Sequence, residues 1–106
     1  MIWDGEHELC IDTTIPILHL LGKRYSMLIL GVLSTEHSVH FNGIVAAIPR
    51  SSSTIISKTL KDMVELGVIT KEITESKIRY TLTPIGNELR NSVMPLLRFA
   101  AGQTGN

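Results

Sequence analysis

Thr54, Ser57, Lys58 and Lys61 recur at helical spacing, so on an α-helix their side chains stand in one stripe. In the surrounding stretch, RSSSTIISKTLKDMVELGVI from Arg50 to Ile69, the apolar residues Ile55, Ile56, Leu60, Met63 and Leu66 take the other side. Short hydroxyls and lysines at that spacing offer close approach, hydrogen bonding and neutralisation of anionic oxygens rather than covalent chemistry. The major groove of B-DNA is ~12 Å wide, admits one helix, and meets its amino-terminal turns at the base edges. N–H groups unpaired at that end, next to Arg50 and Ser52, also suit phosphate. A solvated face of an amphipathic helix has much the same composition, and both readings stand. The groove reading gains from the placing of acids, because Asp62 and Glu65 come only toward the carboxy-terminal end.

The elements that must hold this stripe can be read along the chain. Ser51 or Ser52 is a good amino-terminal cap for a helix over 52–66, and Gly67 is placed as its stop. Before it, FNGIVAAI forms a brief helix ending at Pro49, which makes 40–67 a helix-turn-helix. After Gly67 the period changes from helical to two, with Ile69 and Ile73, then Ile78, Tyr80 and Leu82, alternating with polar residues. That predicts an antiparallel hairpin over 68–83 turning at 74–77, with Lys71, Lys77 and Arg79 near its tip or along its edges. Lys77 and Arg79 are candidates for backbone phosphate or the adjacent minor groove, or are the solubilising residues common at turns.

Two helices occupy 12–35. The first runs to Leu21 with Thr13 or Thr14 as cap and Pro16 in its first turn; the second spans about 24–35 and is apolar almost all round, as a central buried helix would be. Lys23 and Arg24 between them are further phosphate candidates, or merely solvated. Residues 34–40 are a polar connection with a short extended piece at Val39. Thr83-Pro84 opens a last helix over 84–101 that carries Ile85, Leu89, Val93, Leu96 and Leu97 on one side, with a bend expected at Pro95. The fold class is therefore mainly α with a small β-hairpin, a winged helix-turn-helix with an additional helix at each end.

A single domain is expected over residues 1–106, since 106 residues suffice for one core and not two. The formal net charge is zero, yet Asp4, Glu6, Glu8 and Asp12 make an acidic arm over 1–11 and its edge, so the remaining chain has ten bases against six acids. Cys10 is the only cysteine, which rules out an intrachain disulfide and a thiolate zinc site and suggests a reducing, cytoplasmic setting. The apolar run 15–33 is broken by Gly22-Lys23-Arg24, so no membrane span is expected. His7, His19, His37 and His40 are scattered, and no metal or cofactor is expected. No carboxylate pair, Ser-His-Asp or Cys-His set, or phosphate-cradling glycine loop speaks for an enzyme.

GKRYSMLIL, FNGIVAAIP, ISKTLKDMVELGVITK and RYTLTPIGNEL together resemble the HxlR-type winged-helix transcription regulators, relatives of the MarR group. The likeness runs from about Cys10 to Ala100. It implies a homodimer bound to double-stranded operator DNA with an inverted repeat, with Lys23, Arg24, Arg50, Ser52, Thr54, Ser57, Lys58, Lys61, Lys77 and Arg79 as contacts. It implies a dimer seam through the first and last helices, with Leu18, Leu89, Val93, Leu96, Leu97 and Phe99 as its residues; the terminal helix could instead cover its own core.

The chain departs from the family pattern in three places. Cys10 is displaced from the position of the family's early cysteine, the hairpin is short, and Ser51 and Ser53 stand where an apolar residue and a proline are common. Some members sense oxidants through that cysteine, but the acids around Cys10 favour a structural or interface role over a redox one. A small-molecule effector is left open. The alternative to DNA binding is a winged helix used for protein–protein assembly, which the neutral total charge allows.

Overall fold

The structure is a computed structural model and describes residues 2–12 and 15–103. In chain order the elements are β1 (Ile2–Trp3), β2 (Glu8–Leu9), α1 (Pro16–Leu21), α2 (Ser26–Val32), β3 (Val39–His40), α3 (Phe41–Ala47), α4 (Ser53–Glu65), β4 (Ile69–Thr74), β5 (Lys77–Leu82) and α5 (Pro84–Gly102). The helix-turn-helix is α3 and α4, and β4 with β5 forms the wing.

α4 is held at both ends by its own sequence. The Ser52 hydroxyl accepts the Ile55 N–H at 3.3 Å, which satisfies one of the amino-terminal donors left over by helix geometry. At the other end, Gly67 adopts φ +77°, and the N–H groups of Gly67 and Val68 return to the carbonyls of Val64 and Met63. Those are the two bonds of a left-handed helix stop that glycine makes without a Cβ clash. Ile56, Leu60 and Met63 are fully buried. The Thr59 hydroxyl lies 2.9 Å from the Ile55 carbonyl and 3.3 Å from that of Arg24, so it ties α4 to the turn between α1 and α2.

α2 is shorter than its apolar run suggests. Tyr25 stands at its amino-terminal boundary with φ 70°, outside helical space, and Leu33 leaves it in extended conformation. Ile29 and Leu30 are buried, but Leu28 is 45% exposed, so the helix is buried on one side rather than all round. Its last carbonyls are satisfied from outside: Arg90 of α5 donates Nε to Leu30 at 3.1 Å and Nη2 to Gly31 at 3.2 Å. α1 begins with Pro16 in its first turn and has Ile15 at its boundary with no side-chain cap; Thr13 and Thr14 lie outside the described residues.

The wing belongs to a three-stranded antiparallel sheet of order β3-β5-β4, since Val39 and His40 pair with Tyr80 and Arg79. Register along the hairpin is Ile69↔Leu82, Lys71↔Tyr80 and Ile73↔Ile78. Those pairs share one face of the sheet. Its first rung is buried, whereas Ile73 is 70% exposed, because the hairpin runs out past the core. Thr83 joins wing to α5: its hydroxyl donates to the Gly67 carbonyl at 2.7 Å and accepts the Gly86 N–H at 3.0 Å. A Cβ at Gly86 would collide with the Val68 carbonyl, so the close seat of α5 on the start of β4 requires glycine. α5 continues through Pro95 without interruption.

The acidic arm contains an element absent from the sequence reading. β1 and β2 pair as a small antiparallel hairpin, Ile2↔Leu9 and Trp3↔Glu8. Asp4 Oδ1 accepts the N–H groups of Glu6 at 2.9 Å and His7 at 2.6 Å across its turn. Those bonds hold the Asp4 carboxyl below its ordinary range.

Candidate nucleic-acid interface

Thr54, Ser57, Lys58 and Lys61 are all exposed on the outward side of α4. The burial of Ile56, Leu60 and Met63 on the inward side fixes that orientation. Facing the stripe is the inner face of the wing, and between them lie two adjoining clefts. One, of about 560 Å³, reaches from His40 and Asn42 at the start of α3 to Lys77 and Ile78. The other, of about 420 Å³, runs along Lys58, Lys61 and Val64, with Glu65 at its carboxy-terminal end. Ser57, Lys71 and Tyr80 line both. Tyr80 is 7% exposed, and burial raises its phenol above the ordinary value, so it stays an O–H donor through the physiological range.

The structure therefore adds Lys71 and Tyr80 to the residues expected from sequence. Lys71 is not at the wing tip: it sits in mid-strand opposite Tyr80, on the rung nearest α4. Only strand register brings it there, and a sequence of alternating residues does not announce which rung faces the helix.

The other expected contacts separate. Lys77 is exposed at the start of β5 and lines the larger cleft. Arg79 is half-buried and its Nη1 points to the Ser38 carbonyl at 3.5 Å, so it braces the connection before β3. Arg50 is exposed in the turn before α4 with φ 63°. The Ser52 oxygen is engaged in the cap, which leaves only its O–H to donate outward. Lys23 is not on the stripe, because its Nζ pairs with Asp62 at 3.2 Å beside Pro16, His19 and Leu66. Arg24 is exposed with its guanidinium 5.2 Å from the Tyr25 ring centroid, a cation–π contact.

The residues expected at a dimer seam also divide. Val93 is 6% exposed and belongs to the core of its own chain, and Leu89 packs against that core. Leu97 is half-buried. Leu18, Leu96 and Phe99 are 40%, 51% and 65% exposed. Cys10 is exposed just after β2. Among the described residues, no helix is long and apolar enough to cross a membrane.

A helix-turn-helix whose second helix faces a β-wing across a basic cleft defines the winged-helix class. The HxlR-like helix-turn-helix family profile matches residues 20–106, and the chain belongs to that family. The solved structure of a possible HxlR family transcriptional factor from Thermoplasma volcanium superposes with a TM-score of 0.87 at 40% identity, over 100% of this chain and 97% of that one. The reduced transcriptional regulator YodB from B. subtilis gives 0.70 at 25% identity, over 87% and 92%. An uncharacterised protein of Methanocaldococcus jannaschii, MJ0944, is 32% identical over 77 residues, which cover 68% of this chain and 63% of that protein. A MarR-family regulator from Porphyromonas gingivalis shares the fold, with a TM-score of 0.68 at 22% identity. The chain thus has the fold of the HxlR transcription regulators.

Proposed function

We propose that the protein is a dimeric, sequence-specific regulator that binds double-stranded DNA with α4 in the major groove and the β4–β5 wing on the flank. The observation that carries this is the cleft between them. A helix in the major groove and a wing at the minor groove must have one sugar–phosphate strand between them. The lining common to both clefts, Ser57, Lys71 and Tyr80, is a set of donors suited to phosphate oxygens. Thr54, Ser57, Lys58 and Lys61 then face the groove, and Arg50 and Lys77 hold the strand at either side.

A two-fold dimer of this kind prefers an inverted repeat with half-sites about one helical turn, ~34 Å, apart. Leu18, Leu96 and Phe99 are the residues left exposed for its seam. Cys10, exposed on the arm and outside the cleft, is read as an arm or interface residue, and the redox chemistry of YodB is not carried over to it.

The test is fluorescence-anisotropy titration onto mixed duplex and then a selected operator, at several salt concentrations. Each phosphate neutralised contributes about −0.9 to the log–log salt slope. Lys58→Ala with Lys61→Ala should weaken binding and flatten that slope. Unchanged affinity in the double variant would remove α4 from the interface, and an absence of duplex binding at low salt would leave the fold as a protein-assembly module.

A further inference from the structure

The arm, residues 2–12, is exposed at every position. A lone two-stranded hairpin is marginally stable at best in water, and this one presents Ile2 at 54%, Trp3 at 64%, Leu9 at 38% and Ile11 at 40% exposure. Its cross-strand pair Ile2↔Leu9 places two of these apolar side chains on one face. The Cα radius of gyration, 15.0 Å, exceeds the ~13 Å expected of a compact chain of this length, as a projecting arm requires.

We propose that the arm docks on a second copy of the chain, with Ile2, Trp3 and Leu9 against the exposed end of its α5. This rests on the dimer of the proposed function and gives that dimer a contact beyond its helical seam. Three features select a second copy as the occupant. The α5 end offers its own uncovered apolar residues, Leu96 and Phe99, and one two-fold operation covers arm and helix on both copies at once. Charge is complementary, since the arm carries Asp4, Glu6 and Glu8 with no Lys or Arg, whereas Arg98 is exposed between Leu96 and Phe99. A stable interface needs roughly 800 Å² per partner, which an isolated helical seam of a few residues does not supply.

Trp3 is the only tryptophan, so the full chain reports on its own arm. Mass and tryptophan emission are followed over a dilution series, with acrylamide quenching on the dimer and on the dissociated chain. The expected result is a blue-shifted, quencher-protected Trp3 in the dimer and a hydrated one after dissociation. Ile2→Ser with Leu9→Ser should raise the dimer dissociation constant at least about tenfold and expose Trp3, with far-UV circular dichroism unchanged because neither residue is in the core. A dimer of undiminished affinity in that variant, with Trp3 equally quenched in both states of the wild type, overturns the arm contact and leaves the dimer standing. A wild-type chain that is monomeric throughout overturns both, and a Trp3 protected in the monomer shows the arm folded on its own chain and overturns the proposal.

Discussion

At the scale of single residues, charge type predicts less than what each charge is already doing. Lys23 and Lys71 are both lysines near α4, yet Lys23 is paired with Asp62 while Lys71 lines the clefts beside Ser57 and Tyr80. Lys71→Ala should therefore weaken duplex binding and cut the salt slope by about one, and Lys23→Ala should leave the slope where it was. Equal losses at the two positions would reject this placement of the DNA strand. Lys58 and Lys61 were legible in the sequence because their side is set by local helical period. Lys71, Tyr80, the Lys23–Asp62 pair and the Arg79–Ser38 contact were not, because each depends on partners far along the chain or on strand register. Arg90 belongs with them: nothing near it in sequence shows that it closes the carboxy-terminal end of α2.

At the scale of elements, order and type followed from period and punctuation. Ser52, Gly67 and Thr83-Pro84 mark boundaries through caps that act locally, and the structure uses all of them. The misses have physical causes too. α2 starts late because Tyr25 takes a left-handed conformation that its residue type does not suggest. The arm hairpin escaped because strands of two residues carry no measurable period. Ile73 kept the period of the wing but not its burial, since alternation identifies a face and not how far the core extends beneath it.

The junction of wing and α5 is the place where an element-scale prediction is sharpest. Thr83 caps α5 and also bonds Gly67, while Gly86 makes room for the Val68 carbonyl. Thr83→Ala should cost about 1–2 kcal/mol of unfolding free energy. Gly86→Ala should cost about 3 kcal/mol or more, because backbone rather than a flexible side chain blocks the new methyl. Urea denaturation ranks the two, and a Gly86→Ala protein as stable as wild type would show that α5 can slide on the sheet.

At the scale of the whole molecule, a net charge of zero conceals a division between an acidic arm and a basic remainder. If the arm completes a dimer, acid should loosen the assembly before it unfolds the core. Asp4 is the group to follow. Its carboxyl lies below the ordinary value of 3.8 because the backbone N–H groups of His7 and Glu6 bond it. A carboxylate so depressed contributes stability that is fully present above its unfolded value and is lost as pH falls through the folded one. Trp3 should accordingly remain protected at neutral pH and become quenchable as pH falls below the ordinary Asp range. Asp4→Asn keeps an oxygen to accept the same N–H groups but removes the titration, so its Trp3 response should be flatter over that interval. Glu6, Glu8 and Asp12 titrate in both proteins, so an identical acid response in the variant would assign the loosening to those carboxylates and not to the turn at Asp4.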